Sequence, residues 1–131
     1  MENCEKALED ALVNGMLPCA SAFSLAKTHD LAPLQVGETA DRLGVRLCRC
    51  QLGLFGYGSK AEGTHRRVKV LDAVAPEVAA ALRAGLGEDG RLACAQAWAA
   101  ARELGVTRQH VADAAEALGL RIAHCQLGAF S

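Results

Sequence analysis

The sequence lacks the features of several large classes of protein. Only 4% of its 131 residues are aromatic, and 15 acidic against 14 basic residues leave a net charge of −1. Balanced charge together with 51% hydrophobic residues excludes an intrinsically disordered chain. It also argues against a protein that coats nucleic acid without regard to sequence. A sequence-reading protein with a local basic patch remains compatible with these values.

Long apolar runs are missing as well. No stretch approaches the ~20 consecutive apolar residues of a membrane-spanning helix, so we predict no membrane partner. The first residues, MENCEKALED, are acidic and lack the apolar segment of a secretory signal. We therefore predict a cytoplasmic protein in a reducing compartment, where disulfide bonds are uncommon.

Common catalytic motifs are also absent. The sequence has no G-x-x-x-x-G-K-[ST], no G-x-S-x-G and no H-E-x-x-H. It has no C-x-x-C pair, and the spacing of Cys48 and Cys50 is a weak zinc signal. These absences predict a protein that is not an enzyme and binds no cofactor.

What the sequence does contain is an internal repeat. Residues 17–56 align with residues 92–131 without a gap, and 15 of the 40 positions are identical. Residues 50–53 read CQLG and recur at 125–128, followed in both copies by a phenylalanine, Phe55 or Phe130. A helix-like stretch before each copy extends the unit to about 55 residues. The predicted organisation is repeat 1 over 1–56, a basic linker or β-wing over 57–75, and repeat 2 over 76–131.

Hydrophobic periodicity predicts that both repeats are helical. The first apolar stripe has the spacing i, i+3, i+4 and i+7 in both copies, at Cys19, Ala22, Phe23 and Ala26, and at Cys94, Ala97, Trp98 and Ala101. A second stripe follows at Val36, Ala40 and Leu43, and at Val111, Ala115 and Leu118. We predict a mainly α protein with two tandem units of three to four helices, which pack together because each unit is small for a stable core.

A glycine turn follows the second stripe, and the pattern around it resembles the helix-turn-helix superfamily. In that pattern a small residue lies four positions before a turn glycine that has apolar neighbours. The matching residues are Ala40, Leu43, Gly44, Val45 and Cys50, and Ala115, Leu118, Gly119, Leu120 and Cys125. The resemblance covers about twenty residues in each copy and implies a short recognition helix over 45–52. A strand beginning at Val45 is the competing interpretation.

The segment between the repeats has strand character. Arg66, Arg67, Val68, Lys69, Val70 and Leu71 are partly β-branched and alternate near the two valines. Pairing of this stretch with residues 54–57 across a glycine-rich turn would form a hairpin. That arrangement resembles a winged helix, and a flexible linker is the alternative.

Charge is unevenly distributed along the chain. The sum is −2 over residues 1–56, +3 over 57–70 and −2 over 71–131. Arginine and glutamine can read guanine and adenine in the major groove, while basic residues of the middle segment would contact phosphates. The predicted DNA-binding residues are Arg42, Arg46, Arg49, Gln51, Lys60, Arg66, Arg67, Lys69, Arg121, His124 and Gln126. Ordinary solvated charge is the alternative, and it is favoured for the acidic second repeat.

Four of the six cysteines form two equivalent pairs, Cys19 with Cys50 and Cys94 with Cys125. Each lies in an apolar stripe, so burial as a small hydrophobic residue is the favoured interpretation. Binding of a soft metal or a redox-sensitive disulfide is the alternative. A four-ligand metal site in each repeat is not supported, because Cys48 becomes Ala123 in the second copy.

Together these patterns predict a DNA-binding protein that regulates transcription through tandem helix-turn-helix units. The predicted partner is double-stranded DNA, with a protein partner or a homodimer as further candidates. The alternative functions are a protein-interaction module with a similar fold and a thiol-based metal or redox sensor.

Overall fold

The chain forms six helices and four very short strands within residues 2–58 and 64–130, the parts that this computed structural model describes. The predicted mainly α class is therefore confirmed. Repeat 1 contains α1 (Glu2–Asp10), β1 (Leu17–Pro18), α2 (Cys19–Thr28), α3 (Pro33–Arg42) and β2 (Leu47–Cys48). Repeat 2 contains α4 (Pro76–Ala84), β3 (Leu92–Ala93), α5 (Cys94–Leu104), α6 (Arg108–Ala117) and β4 (Ile122–Ala123).

Local signals explain where the third helix of each repeat begins. Pro33 opens α3, and the Gln35 side chain accepts a hydrogen bond from the backbone N–H of Ala32 at 2.8 Å. In repeat 2 the Thr107 hydroxyl accepts from the backbone N–H of His110 at 3.0 Å and caps α6. Three or four residues separate the two helices of each pair, so both pairs are tightly connected hairpins of helices.

The predicted helix over residues 45–52 is wrong, and the competing strand is present. β2 pairs in parallel with β1, with Leu47 opposite Leu17, and β4 pairs in the same way with β3. The backbone then enters the left-handed region at Arg49 (φ 50°) and at its equivalent His124 (φ 53°), which no α-helix can accommodate. The residues after the glycine turn are therefore strand and loop, and the expected recognition helix does not form.

The repeated CQLG sequence forms a closed loop in both copies. The N–H of Gly53 donates to the Cys50 carbonyl at 2.9 Å, and the N–H of Cys50 donates to the Phe55 carbonyl at 3.2 Å. Gly53 has a φ of 80°, which favours glycine at this position of the turn. The second copy repeats both hydrogen bonds at 3.0 and 3.1 Å. We call residues 50–55 and 125–130 the CQLG loops.

The two CQLG loops are exchanged between the repeats. Leu52 and Cys50 of repeat 1 pack in the core formed by α4, α5 and α6 of repeat 2. Leu127 and the partly buried Cys125 pack in the core formed by α1, α2 and α3 of repeat 1. The prediction that the repeats pack together is confirmed, because each core is completed by the other repeat.

Two aromatic contacts join equivalent residues of the two repeats. The rings of Phe23 and Trp98 lie 4.4 Å apart, and those of Phe55 and Phe130 meet edge to face at 6.3 Å. Contacts between equivalent positions are what a two-fold relation between two copies produces. The repeats are thus related by an approximate two-fold axis within a single chain.

The segment that joins the repeats is packed on repeat 2, and the strand predicted over residues 66–71 is absent. Its backbone donors bond elsewhere: the N–H of Arg67 donates to the Gly53 carbonyl at 2.7 Å, and that of Lys69 donates to the buried Asp113 carboxylate at 2.8 Å. Hydrophobic side chains of the segment also contact the repeat 2 core. The N–H of Tyr57 donates to the His65 carbonyl, and that of Gly58 donates to the Thr64 carbonyl.

Candidate anion-binding surface

A cleft of about 870 Å³ opens where the two repeats meet, and we call it the central cleft. Four pairs of equivalent residues line it: Arg46 and Arg121, Leu47 and Ile122, Leu54 and Ala129, and Phe55 and Phe130. The cleft therefore lies on the approximate two-fold axis. Its walls are the strands β2 and β4 and the CQLG loops, which the exchange brings together.

The strand pairing holds Arg46 and Arg121 at the cleft. The carbonyl of Arg46 accepts from the N–H of Leu17 at 2.9 Å, and that of Arg121 accepts from Leu92 at 2.8 Å. Both side chains are exposed, and neither has an ion-pair partner within the described residues. The cleft therefore presents two arginines without an ion-pair partner, and the carboxylate of Asp41 also lies in its lining.

A second, smaller cleft adjoins the first, and we call it the side cleft. It shares Met16, Gly56, Tyr57 and Gly58 with the central cleft, and it is lined by Arg49 and Arg67. The guanidinium of Arg67 lies 4.1 Å from the centre of the Tyr57 ring. The Tyr57 hydroxyl donates to the Cys50 carbonyl at 2.6 Å, and burial raises the pKa of this hydroxyl, which keeps it a donor.

The two clefts together bring four of the predicted DNA-binding arginines to one surface. We call Arg46, Arg49, Arg67 and Arg121 the basic band. Three of them come from repeat 1 and the joining segment, and Arg121 comes from repeat 2. Clefts lined mainly by charges of one sign favour the binding of ions of the opposite sign.

The other predicted DNA-binding residues are placed differently. Arg42 pairs with Glu5, Arg66 pairs with Glu116 at 3.4 Å, and His124 lies 2.8 Å from Asp89 and lowers the pKa of that carboxyl. Lys69 is exposed and is fixed through its backbone. Lys60 lies outside the described residues.

The two glutamines of the CQLG loops are engaged inside the protein. Gln51 donates to the Cys19 sulfur at 3.8 Å and accepts from Arg108. Gln126 donates to the Cys94 sulfur at 3.4 Å. Both side chains therefore hold their loop against the second helix of its own repeat, and Gln51 also holds its loop to α6 of the other repeat.

The sequence interpretation missed the roles of Tyr57 and Asp113. Tyr57 joins the two clefts, and Asp113 anchors the joining segment. Asp113 stands where the first repeat has Glu38, which is exposed, so nothing in the repeat pattern marks it. The recurrence of Phe55 and Phe130 was the available signal for the central cleft.

Buried thiols account for most of the cysteines. All six are free, and among the four repeated ones only Cys125 is partly exposed. Burial raises the pKa of Cys19 to about 12 and also raises the pKa of Cys50 and of Cys94. Within the described residues no group of three or more histidine, cysteine or acidic side chains is arranged to hold a metal ion.

We expect Cys19 to resist alkylation in the folded protein. A thiol with a pKa of about 12 is ionised in only about one molecule in ten thousand at pH 8, against about a quarter for an ordinary cysteine. Peptide mass spectrometry after iodoacetamide treatment should show labelling at least about a hundredfold slower than in guanidinium. Equal rates in the folded and unfolded protein would contradict this placement.

Comparisons with known proteins gave no relatives. No family model matches the chain, and no curated protein or solved structure is significantly similar to it. No helix among the described residues is long and apolar enough to cross a membrane. A functional proposal must therefore be based on the surface itself.

Proposed function

We propose that the protein binds double-stranded DNA through the basic band and acts in transcriptional regulation. The observation that carries this proposal is the convergence of four arginines from three segments of the chain on two adjoining clefts. Arginine forms bidentate hydrogen bonds with phosphate, and neutralised phosphates release counterions, which favours binding.

The helix pairs α2–α3 and α5–α6 are proposed as the helix-turn-helix elements of the two units. Each pair is joined by three or four residues, the usual length in such motifs. After the second helix of each pair the chain forms a short strand and then a CQLG loop. The described residues of the joining segment follow the first unit as a linker packed on repeat 2.

The helices α3 and α6 are less suited to the major groove than the basic band. The exposed residues of α3 include Glu38 and Asp41, and the basic Arg42 is paired with Glu5. Acidic side chains facing phosphates weaken binding. DNA would therefore be held by loops at the two-fold axis, while the helices form the scaffold that positions these loops.

Salt dependence of binding to a duplex tests this proposal. If the four arginines each neutralise one phosphate, log K should fall with log salt with a slope of about −3.6. The double variant Arg49→Gln/Arg67→Gln should reduce the slope to about −1.8 and weaken binding at low salt. Fluorescence anisotropy of a labelled duplex of about 20 base pairs, at several NaCl concentrations, measures both quantities.

The matched control is Arg83→Gln/Arg102→Gln, which removes the same charge from α4 and α5. Both arginines are exposed and line neither cleft. This control should bind like the unmodified protein. Absence of binding even at low salt would exclude the proposal, and an equal loss in the control would exclude the basic band as the contact surface.

A further inference from the structure

The floor of the central cleft is apolar, and an apolar surface contributes nothing to the binding of phosphate. It is formed by aliphatic and aromatic side chains from both repeats, with Phe55 and Phe130 in edge-to-face contact. Both rings are only partly buried, so each retains surface toward the cleft. At about 870 Å³ the cleft falls within the size range of small-molecule sites.

Polar groups with unmet hydrogen-bonding capacity border this floor. Arg46 and Arg121 have no ion-pair partner in the described part of the chain. The Nδ1 atom of His65, another residue of the lining, is buried and has no hydrogen-bond partner there either. Unpaired arginines at the rim of an apolar cleft are positions where an anionic group of a ligand would be stabilised.

We infer that the central cleft binds a small organic anion with a flat apolar body, of the class of aromatic carboxylates. The carboxylate accepts hydrogen bonds from the guanidinium groups of both Arg46 and Arg121. The ring packs against the Phe55 and Phe130 side chains, where aromatic contacts add to the burial of apolar surface. This inference does not depend on DNA binding.

Titration with three probes tests the inference: naphthoate, its neutral amide naphthamide, and inorganic phosphate. Naphthoate should bind saturably and shift the backbone amide signals of Gly56 and Ile122 in NMR spectra. Naphthamide should bind at least about tenfold more weakly, because it lacks the charge. Phosphate should also bind at least about tenfold more weakly, because it gains nothing from the apolar floor.

Variants locate the site. Arg46→Gln and Arg121→Gln should each weaken naphthoate binding about tenfold, and both should fold because the two side chains are exposed. Arg102→Gln on α5 removes the same charge outside the cleft and should leave naphthoate affinity unchanged.

Four results would overturn the inference: no naphthoate binding at millimolar concentration, equal binding of naphthoate and naphthamide, equal binding of phosphate, or an equal loss in Arg102→Gln. Because the titrations contain no DNA, a failure here is separate from a failure in the duplex assay. The variants of the duplex assay change Arg49 and Arg67 in the side cleft, whereas the naphthoate variants change Arg46 and Arg121.

Discussion

Replacing Gly37 with alanine should destabilise the protein by about 2 kcal/mol or more, although alanine is the better helix former. A Cβ atom at Gly37 would lie 1.8 Å from the Leu127 carbonyl oxygen, which belongs to the CQLG loop of the other repeat. The backbone of that loop would have to move away from α3. Overpacking of this kind typically costs 1–3 kcal/mol, whereas alanine in an open helical site would gain up to about 1 kcal/mol.

Urea unfolding measures this effect, with Gly85→Ala as the control. Gly85 follows α4 with a φ of −86°, and its nearest contact for a Cβ atom is Leu92 Cδ1 at 3.4 Å. The control should therefore be neutral or slightly stabilising. The midpoint for Gly37→Ala should fall with little change in the m-value. A variant as stable as the unmodified protein would show that the CQLG loop does not lie against α3.

The position equivalent to Gly37 shows that the two halves are only approximately symmetric. That position is Ala112, which is buried and already carries a Cβ atom in α6. The loop of repeat 1 must therefore lie farther from α6 than the loop of repeat 2 lies from α3.

Much of the fold could be predicted from the sequence because hydrophobic periodicity is a local signal. The stripes through Ala22 and Val36 identified α2 and α3, and the repeat carried both predictions into the second half. The helix predicted after Gly44 failed because the run over residues 45–48 is too short to distinguish a helix from a strand. The left-handed φ of Arg49, which ends that run, leaves no mark in the periodicity.

The exchange of the CQLG loops could not be predicted for a physical reason. Leu52 and Leu127 are equivalent residues, so the sequence pattern does not distinguish which core each of them fills. What decides is the path of the connecting backbone, as in domain swapping between identical subunits. The candidate site depends on this exchange: its arginines were identified from charge, but their convergence around Tyr57 follows only from the three-dimensional arrangement.

Substitution of Leu52 or Leu127 by alanine is the direct test of the exchange, with an expected loss of about 2–5 kcal/mol for each. Both side chains are almost fully buried, so truncation loses burial free energy and leaves a cavity. The identity of the helices whose NMR signals change distinguishes exchanged loops from loops that pack in their own repeat. Leu52→Ala should perturb the NMR signals of α4, α5 and α6, although Leu52 belongs to repeat 1.

Leu127→Ala should instead perturb α1, α2 and α3, which are far away in the sequence. Val70→Ala is the control, because the Val70 side chain is 77% exposed and its truncation should change stability by less than about 0.5 kcal/mol. If each leucine variant perturbed the helices of its own repeat, the loops would not be exchanged. If the loops are exchanged, neither core is complete without the other repeat. The chain should then unfold in a single cooperative transition. The central cleft would be lost in the same transition as both cores.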